Sequence, residues 1–206
     1  MLFNTNLNWS DHISAVCNKV FSGIHSLKRI RECLPLNMKL MLVKALIFPH
    51  FTYGDVVYND LSVELSLKLQ RAQNYCIRFV YGLRRDDHIS SYYRSASLLK
   101  LDDQRKLDTL KLLHKILHNK SPGYLFNRFT FSSQISHRST RNGAIMLVVP
   151  RHRTVMFNKS FSVSAARYWN SLPVECRMLN DVVRFGQEVL GWLLRGGATG
   201  VGTDQP

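Results

Sequence analysis

Acidic residues are missing from a long part of this chain. Its 206 residues include 28 Lys and Arg against 14 Asp and Glu, which gives a formal net charge of +14. Residues 124–170 hold seven of the basic residues and no acidic one, whereas residues 1–60 hold six basic and four acidic residues. This uneven balance favours a polyanionic partner, of which nucleic acid is the commonest. A basic protein with scattered surface charge is the alternative.

Cysteine is scarce and scattered. Cys17, Cys33, Cys76 and Cys176 lie far apart, with no CxxC pair and no Cys/His spacing typical of zinc sites. We therefore expect four free, buried thiols in a reducing compartment. The N-terminus lacks a basic start followed by an apolar core, so we expect no signal peptide. No apolar run is long enough to cross a bilayer, so no membrane partner is expected.

Motifs that would support catalysis are also missing. There is no GxSxG, HExxH, P-loop or Cys/His set. His114 and His118 lie one turn apart on a predicted helix, but no third ligand supports a metal site, and a solvated pair is the preferred interpretation. The sequence therefore predicts no catalysis by this chain alone, and neither a cofactor nor a metal.

Apolar residues recur at steps of three and four, which predicts a mainly α-helical fold. We expect helices at 11–32, 37–47, 62–81, 103–119, 161–170 and 181–194, and a weak short helix near 90–97. The core-facing stripe of the first helix is predicted to be Ile13, Val16, Cys17, Val20, Phe21, Ile24, Leu27 and Ile30. Gly82 is expected to end the third helix, and the aromatic residues after Pro49 are expected in the core.

The C-terminal part is expected to contain some β-structure. The apolar run 145–149, closed by Pro150, predicts a strand, with 154–157 as a candidate partner and 151–153 as the hairpin turn. Tyr168 and Trp169 of the following helix are expected in the core. The predicted architecture is a helical bundle followed by a small α+β unit with a short β-hairpin.

Five stretches carry a resemblance when they are taken together. They are LNWSDHI (7–13), Leu-Pro and the helix of 34–48 with PHFTYG (49–54), KLQRAQNYCIRFVYGL (68–83), LLKLDDQRKLDTLKLLHKILHNKSPGYL (98–125), and the ordered strings STR, VVPR and SFSVSAARYWNSLP of 139–173. In combination they resemble the region downstream of the palm in jockey-like reverse transcriptases of non-LTR retrotransposons. The resemblance covers about residues 7–194. The Gly-rich tail and the last helix, with Glu188 and few Lys, depart from the family.

The resemblance implies a domain order. Residues 1–9 would be a remnant lead-in, and residues 10–85 would form a thumb-like helical domain that holds primer-template duplex. Residues 86–195 would form a C-terminal α+β domain that binds RNA or target DNA. Residues 196–206 would be a disordered tail. The family is an RNA-directed DNA polymerase whose Tyr/Phe-Ala-Asp-Asp string helps to hold two metal ions. That string is absent here. The chain would then be a non-catalytic fragment that acts on RNA or DNA inside the cell, in the nucleus or the cytoplasm.

Basic side chains are the candidate site residues. For the thumb-like part we expect phosphate contacts from Lys28, Arg29 and Arg31, although cations at a helix end also complement its dipole. For the C-terminal part the candidates are Arg138, Arg141, Arg151, Arg153 and Arg167. Phosphate contacts need cations at many points and no base-specific geometry.

Two other interpretations stay open at this stage. In the first, the chain is a structural or protein-interaction remnant whose basic residues only keep the fold soluble. In the second, it is a decayed open reading frame with no selected function.

Overall fold

The computed structural model describes residues 2, 8–59, 61–135 and 145–196, and these residues are mainly α-helical, as predicted. The helices are α1 (Ser10–Lys28), α2 (Leu36–Leu42), α3 (Pro49–Thr52), α4 (Val63–Tyr81), α5 (Ser90–Ser95), α6 (Leu101–Asn119), α7 (Gly123–Phe126), α8 (Ser132–Ile135), α9 (Val155–Asn158), α10 (Phe161–Ser171), α11 (Val174–Arg177) and α12 (Val182–Leu194). A 3-10 turn (Arg31–Cys33) follows α1, so the first helix ends earlier than its predicted end at 32.

The chain divides into two compact units, residues 1–104 and 105–206, and the division falls inside α6. The expected boundary after residue 85 lies earlier. Helix α5 belongs to the first unit, since the hydroxyl of buried Tyr93 lies within hydrogen-bond distance of Gln73 Oε1 (3.0 Å) and donates to Asn74 Oδ1 (2.7 Å) of α4. The expected tail from residue 197 onward, and most of the expected lead-in, lie outside the described residues.

Helices α1 and α4 form the centre of the first unit. Ile13, Val20 and Ile24 of α1 are fully buried, as are Ala72 and Cys76 of α4. Each large aliphatic side chain removed from water contributes roughly 1.5–3 kcal/mol. The free energy gained by this burial is larger than the differences in helix propensity among the same residues. Packing of the two apolar stripes is therefore what stabilises the helix pair.

Two members of the stripe predicted for α1 are not in the core. Phe21 is 43% exposed and Ile30 is 48% exposed. Ile30 lies beyond the end of α1 at Lys28, where the helical periodicity no longer holds. Phe21 is at the edge of the stripe and contacts the ring of Tyr75. The prediction of burial was therefore wrong for both residues.

A π-helical turn (Val43–Ile47) continues α2 toward Pro49. The amide of Phe48 donates to Val43 O at 3.1 Å, the five-residue step of a π-helix. Pro49 then begins α3, and proline is well tolerated at the first position of a helix. The expected aromatic core after Pro49 is confirmed for Phe51 but not for Tyr53, which is 69% exposed.

The second unit forms its core from α6, α10 and α12. The buried residues include Leu110 and Leu113 of α6, Trp169 of α10, and Phe185 and Val189 of α12. Their spacing of three, four or seven residues places each set on one helix face. The predicted core role of Trp169 is confirmed, and its Nε1 donates to Ile145 O at 2.9 Å.

The predicted β-hairpin is not found. Residues 155–158 form α9, so they cannot pair with 145–149. Thr154 begins that helix, because its hydroxyl accepts a hydrogen bond from Phe157 N at 3.2 Å. Among the described residues the extended backbone forms a single antiparallel bridge, between Phe131 and Leu147.

Asn170 takes the place of the missing strand partner. Its Oδ1 accepts from Leu147 N at 2.9 Å, and its Nδ2 donates to Leu147 O at 2.8 Å. One side chain thus makes both hydrogen bonds that a neighbouring strand would have made. The segment therefore needs no hairpin to satisfy its buried backbone.

The four cysteines are free, as expected. Burial raises the pKa of the Cys76 thiol to about 12 and also raises the pKa values of Cys17 and Cys176. Cys33 is exposed, against the prediction, because it ends the 3-10 turn beyond the buried stripe of α1. In the described part of the chain, no helix is both long and apolar enough to cross a membrane.

Candidate nucleic-acid interface

The first unit contains an open cavity of about 1050 Å³, which we call the basic groove. It is lined by the C-terminal half of α1, the segment 31–39, the C-terminal half of α4 and the turn that follows α4. Its cationic lining residues are Lys28, Arg31, Lys39, Arg71, Arg78 and Arg85, and among the described lining residues the carboxylate is that of Glu32. The groove is therefore strongly positive, with a lining that has five more cations than anions.

Helix periodicity explains why α4 supplies so much of the groove. Its buried face carries Leu69, Ala72 and Cys76, which lie three or four residues apart. Arg71, Asn74 and Arg78, with Tyr75, also recur at steps of three and four but at positions between the buried ones, so they follow a second face of the helix. The apolar face packs on α1, and the polar face borders the groove.

Lys28 is held in place on the wall of the groove. Its Nζ donates to Tyr75 Oη at 2.6 Å and lies 4.6 Å from the centroid of the Tyr75 ring. Tyr75 in turn makes an edge contact with Phe21, whose ring centroid is 5.3 Å away. The ammonium group is therefore positioned in the groove before any ligand binds.

Arg78 organises the rim of the groove. Its Nε donates to Arg84 O at 3.1 Å, and its Nη2 donates to Asp87 O at 3.4 Å. The carboxylate of Asp87 accepts from Arg84 N at 2.6 Å and closes the same turn. Arg85 lies within this turn, so the hydrogen bonds that fix the turn also place the Arg85 cation at the groove.

The groove includes two of the three residues predicted for the first unit. Lys28 and Arg31 line it, whereas Arg29 is exposed and lies outside its lining. Arg31 has a salt bridge to Glu32 of 3.8 Å with both side chains exposed. An exposed ion pair of this kind contributes little to the free energy of folding. The Arg31 guanidinium therefore remains available to an anionic ligand.

The predicted residues of the second unit are only partly described. Arg138 and Arg141 lie outside the described residues, whereas Arg151, Arg153 and Arg167 are exposed. Arg167 Nη2 donates to His152 Nε2 at 3.3 Å, which places Arg167 beside the segment 151–153. A guanidinium only donates, so His152 carries its proton on Nδ1, which donates to Pro150 O at 3.3 Å. These three arginines form a second basic area.

Sequence reasoning missed several residues of the groove. Lys39, Arg71, Arg78 and Arg85 line it but were not selected as site residues. Arg71 and Arg78 are seven residues apart, a spacing that puts both on one helix face beside Tyr75. That spacing was visible in the sequence. The meeting of α4 with the segment 31–39 was not, because it depends on tertiary packing.

The prediction of a solvated His114 and His118 pair holds for His118, which is exposed, but not for His114. His114 is 4% exposed, its ring stacks on Phe185 with centroids 4.2 Å apart, and its Nε2 donates to Leu179 O at 2.6 Å. His114 is therefore a core residue. In the described ranges no group of three His, Cys, Asp or Glu side chains is arranged to hold a metal ion.

Comparisons of the chain with protein-family models, with curated proteins and with solved structures find no match.

Proposed function

We propose that this chain binds the phosphate backbone of RNA or DNA through the basic groove, as a non-catalytic piece of a protein that resembles a retrotransposon reverse transcriptase. The observation that carries the proposal is the convergence of six cationic residues, from two separate stretches of the chain (28–39 and 71–85), on one cavity. Several cations on one concave surface release the counterions that surround a polyphosphate, and this release drives binding without base specificity.

The resemblance supports the same proposal. The strings that resemble the thumb region, residues 7–83, fall in the first compact unit, which also contains the groove. In the resembling family this region contacts nucleic acid along its backbone, which needs distributed cations and no catalytic group. Under this proposal the chain carries no chemical step of its own.

Salt-dependent binding tests the proposal. We expect a labelled structured RNA to bind at about 50 mM salt and to bind far more weakly at about 200 mM salt, as measured by fluorescence anisotropy. The double variant Lys28→Gln/Arg31→Gln removes two groove cations. It should therefore reduce the slope of log K against log salt by about 0.7–0.9 for each phosphate that the groove no longer neutralises.

Arg29→Gln is the matched control, because Arg29 is exposed beside the groove but does not line it. We expect this variant to keep a slope close to that of the unmodified chain. Absence of binding at low salt would exclude the proposal. An equal loss of affinity in the control and in the double variant would exclude the groove as the binding site.

A second candidate function is a protein-interaction scaffold, and exposed apolar side chains favour it. Val155 and Met156 of α9 are 74% and 72% exposed, and Met41 of α2 is 54% exposed. The double variant Lys28→Gln/Arg31→Gln separates the two functions, because both residues line the basic groove. A scaffold would keep its protein partner after this change, whereas a nucleic-acid interface at the groove would lose affinity.

A further inference from the structure

We infer that the basic groove takes single-stranded nucleic acid and that one unpaired base stacks on the ring of Phe21. This inference rests on the proposed function and goes further, because backbone contacts alone do not distinguish a single strand from a duplex. It identifies an aromatic contact in addition to the cations.

Phe21 is more exposed than its place in the apolar stripe of α1 predicts. It occupies a place in the apolar periodicity of α1, yet 43% of its surface is exposed, whereas Val20 and Ile24 are fully buried. Its ring lines a cavity in which six side chains are cationic. An exposed aromatic ring among cations is the combination that single-strand-binding proteins use, with cations along the backbone and a ring for the base.

The neighbours of Phe21 hold its ring without covering it. Tyr75 meets it at an interplanar angle of 71°, an edge contact that does not lay one ring face on the other. Tyr75 is itself held by Lys28, through the hydrogen bond from Nζ and the ammonium above the ring. Tyr75 therefore supports the Phe21 ring, which keeps 43% of its surface exposed and lines the groove.

Unpaired bases fit this arrangement better than paired ones. In a duplex each base face is covered by the next base pair, so a protein aromatic ring can stack only where a base is unpaired or extruded. The groove volume of about 1050 Å³ is at the upper end of the range for pockets that enclose small molecules. Such a cavity accommodates a short length of a single strand.

Asn74 adds to the groove a polar group that does not discriminate strongly between the bases. Its Oδ1 accepts from Tyr93 Oη at 2.7 Å and from Gln70 Nε2 at 3.0 Å. The amide NH2 is then the part of Asn74 that has hydrogen-bonding capacity for a ligand, and a lone donor meets acceptors on every base. We therefore expect binding with little sequence selectivity.

The test compares strands that carry the same phosphates with and without bases. The probes are a labelled oligothymidylate, an abasic strand of equal length, and a blunt duplex, each titrated at low salt into the full chain. We expect the oligothymidylate to bind about tenfold more tightly than the abasic strand, given the usual contribution of one stacked base. Phe21→Leu should remove that difference, since it keeps an apolar side chain but has no ring, and Phe21→Trp should retain it.

Phe157→Leu is the matched control, because Phe157 is 38% exposed, belongs to the second unit and is not among the residues that line the groove. It should leave all three affinities unchanged. If the unmodified chain and Phe21→Leu bind the oligothymidylate and the abasic strand equally well, stacking is excluded while backbone binding stands. Preference for the blunt duplex would also exclude the inference. If no probe binds at low salt, the proposed function itself is excluded.

Discussion

At the scale of single residues, two histidines of α1 lie in very different environments. His12 is 7% exposed and packs against the rings of Trp9 and Tyr58, with centroids 6.2 and 5.3 Å away, whereas His25 is exposed. The Nε2 atom of His12 has no hydrogen-bond partner. Burial, reinforced by nearby positive charge that includes Lys19, lowers the pKa of His12 below its ordinary value of 6.5.

This difference predicts a loss of stability at acidic pH. The unfolded chain binds a proton at His12 near pH 6.5, while the folded chain resists it, so the unfolding free energy falls as the pH drops below that value. His12→Gln removes the titrating group and should flatten this part of the pH dependence. Urea unfolding between about pH 8 and about pH 5 measures the effect.

His25→Gln is the control for this experiment, because it removes a histidine that is exposed in the same helix. We expect its pH dependence to follow that of the unmodified chain. An unchanged slope in His12→Gln would show that His12 does not contribute to acid sensitivity.

At the scale of elements, Gly82 ends α4 beside the basic groove. Its φ is +67°, in the left-handed region, and the backbone N–H that caps the helix donates to Arg78 O. A β-carbon at this position would meet no atom within 4 Å, so the space is open and only the backbone conformation restricts the residue. A non-glycine residue in this region is strained.

We therefore predict that Gly82→Ala lowers the unfolding free energy by about 1 kcal/mol, and that Gly82→Asn lowers it less, since Asn tolerates the left-handed region. Gly123→Ala is the matched control. A β-carbon at Gly123 also meets open space, but Gly123 has no positive φ. Urea unfolding of the three variants provides the comparison, and an equal effect at 82 and 123 would contradict the explanation.

At the scale of the whole molecule, the four cysteines differ in their exposure to solvent. Cys17, Cys76 and Cys176 are buried and Cys33 is exposed. Burial raises the pKa values of the three buried thiols, which reduces the fraction of reactive thiolate as well as the access of a reagent.

We predict that a thiol reagent labels one cysteine rapidly in the folded chain and the remaining three only after unfolding. Mass spectrometry of the labelled peptides should identify the rapid site as Cys33. In Cys33→Ser the rapid phase should disappear. Rapid labelling of Cys76 would contradict the packing of α1 against α4, since Cys76 is fully buried there.

Much of the fold was predictable because helices leave a strong trace in the sequence. The periodic apolar residues of 62–81 and 103–119 marked α4 and α6 to within one or two residues, and Gly82 marked a helix end. The prediction of a strand pair in the C-terminal part was wrong for a local reason. The same few residues, Val155 to Phe157, suit a strand or a helix, and the cap from Thr154 selects the helix.

The candidate site was less predictable than the fold. Lys28 and Arg31 were selected from their position at the end of a helix, and both line the basic groove. Lys39 and Arg85 were not selected, because nothing local distinguishes a cation of the groove from any other exposed cation. Phe21 was assigned to the core for a related reason, since apolar spacing shows which face a residue is on but not how far the neighbouring helix covers that face.

The sequence by itself determined that the chain is mainly α-helical, strongly basic and without a recognisable catalytic motif, because these properties depend on local periodicity and composition. Only the tertiary structure decided where the charge collects. Lys28, Lys39, Arg71 and Arg85 are distant in sequence and line one cavity, because α1 and α4 pack through their apolar faces and leave their polar faces on either side of it. The same packing leaves Phe21 exposed among those cations.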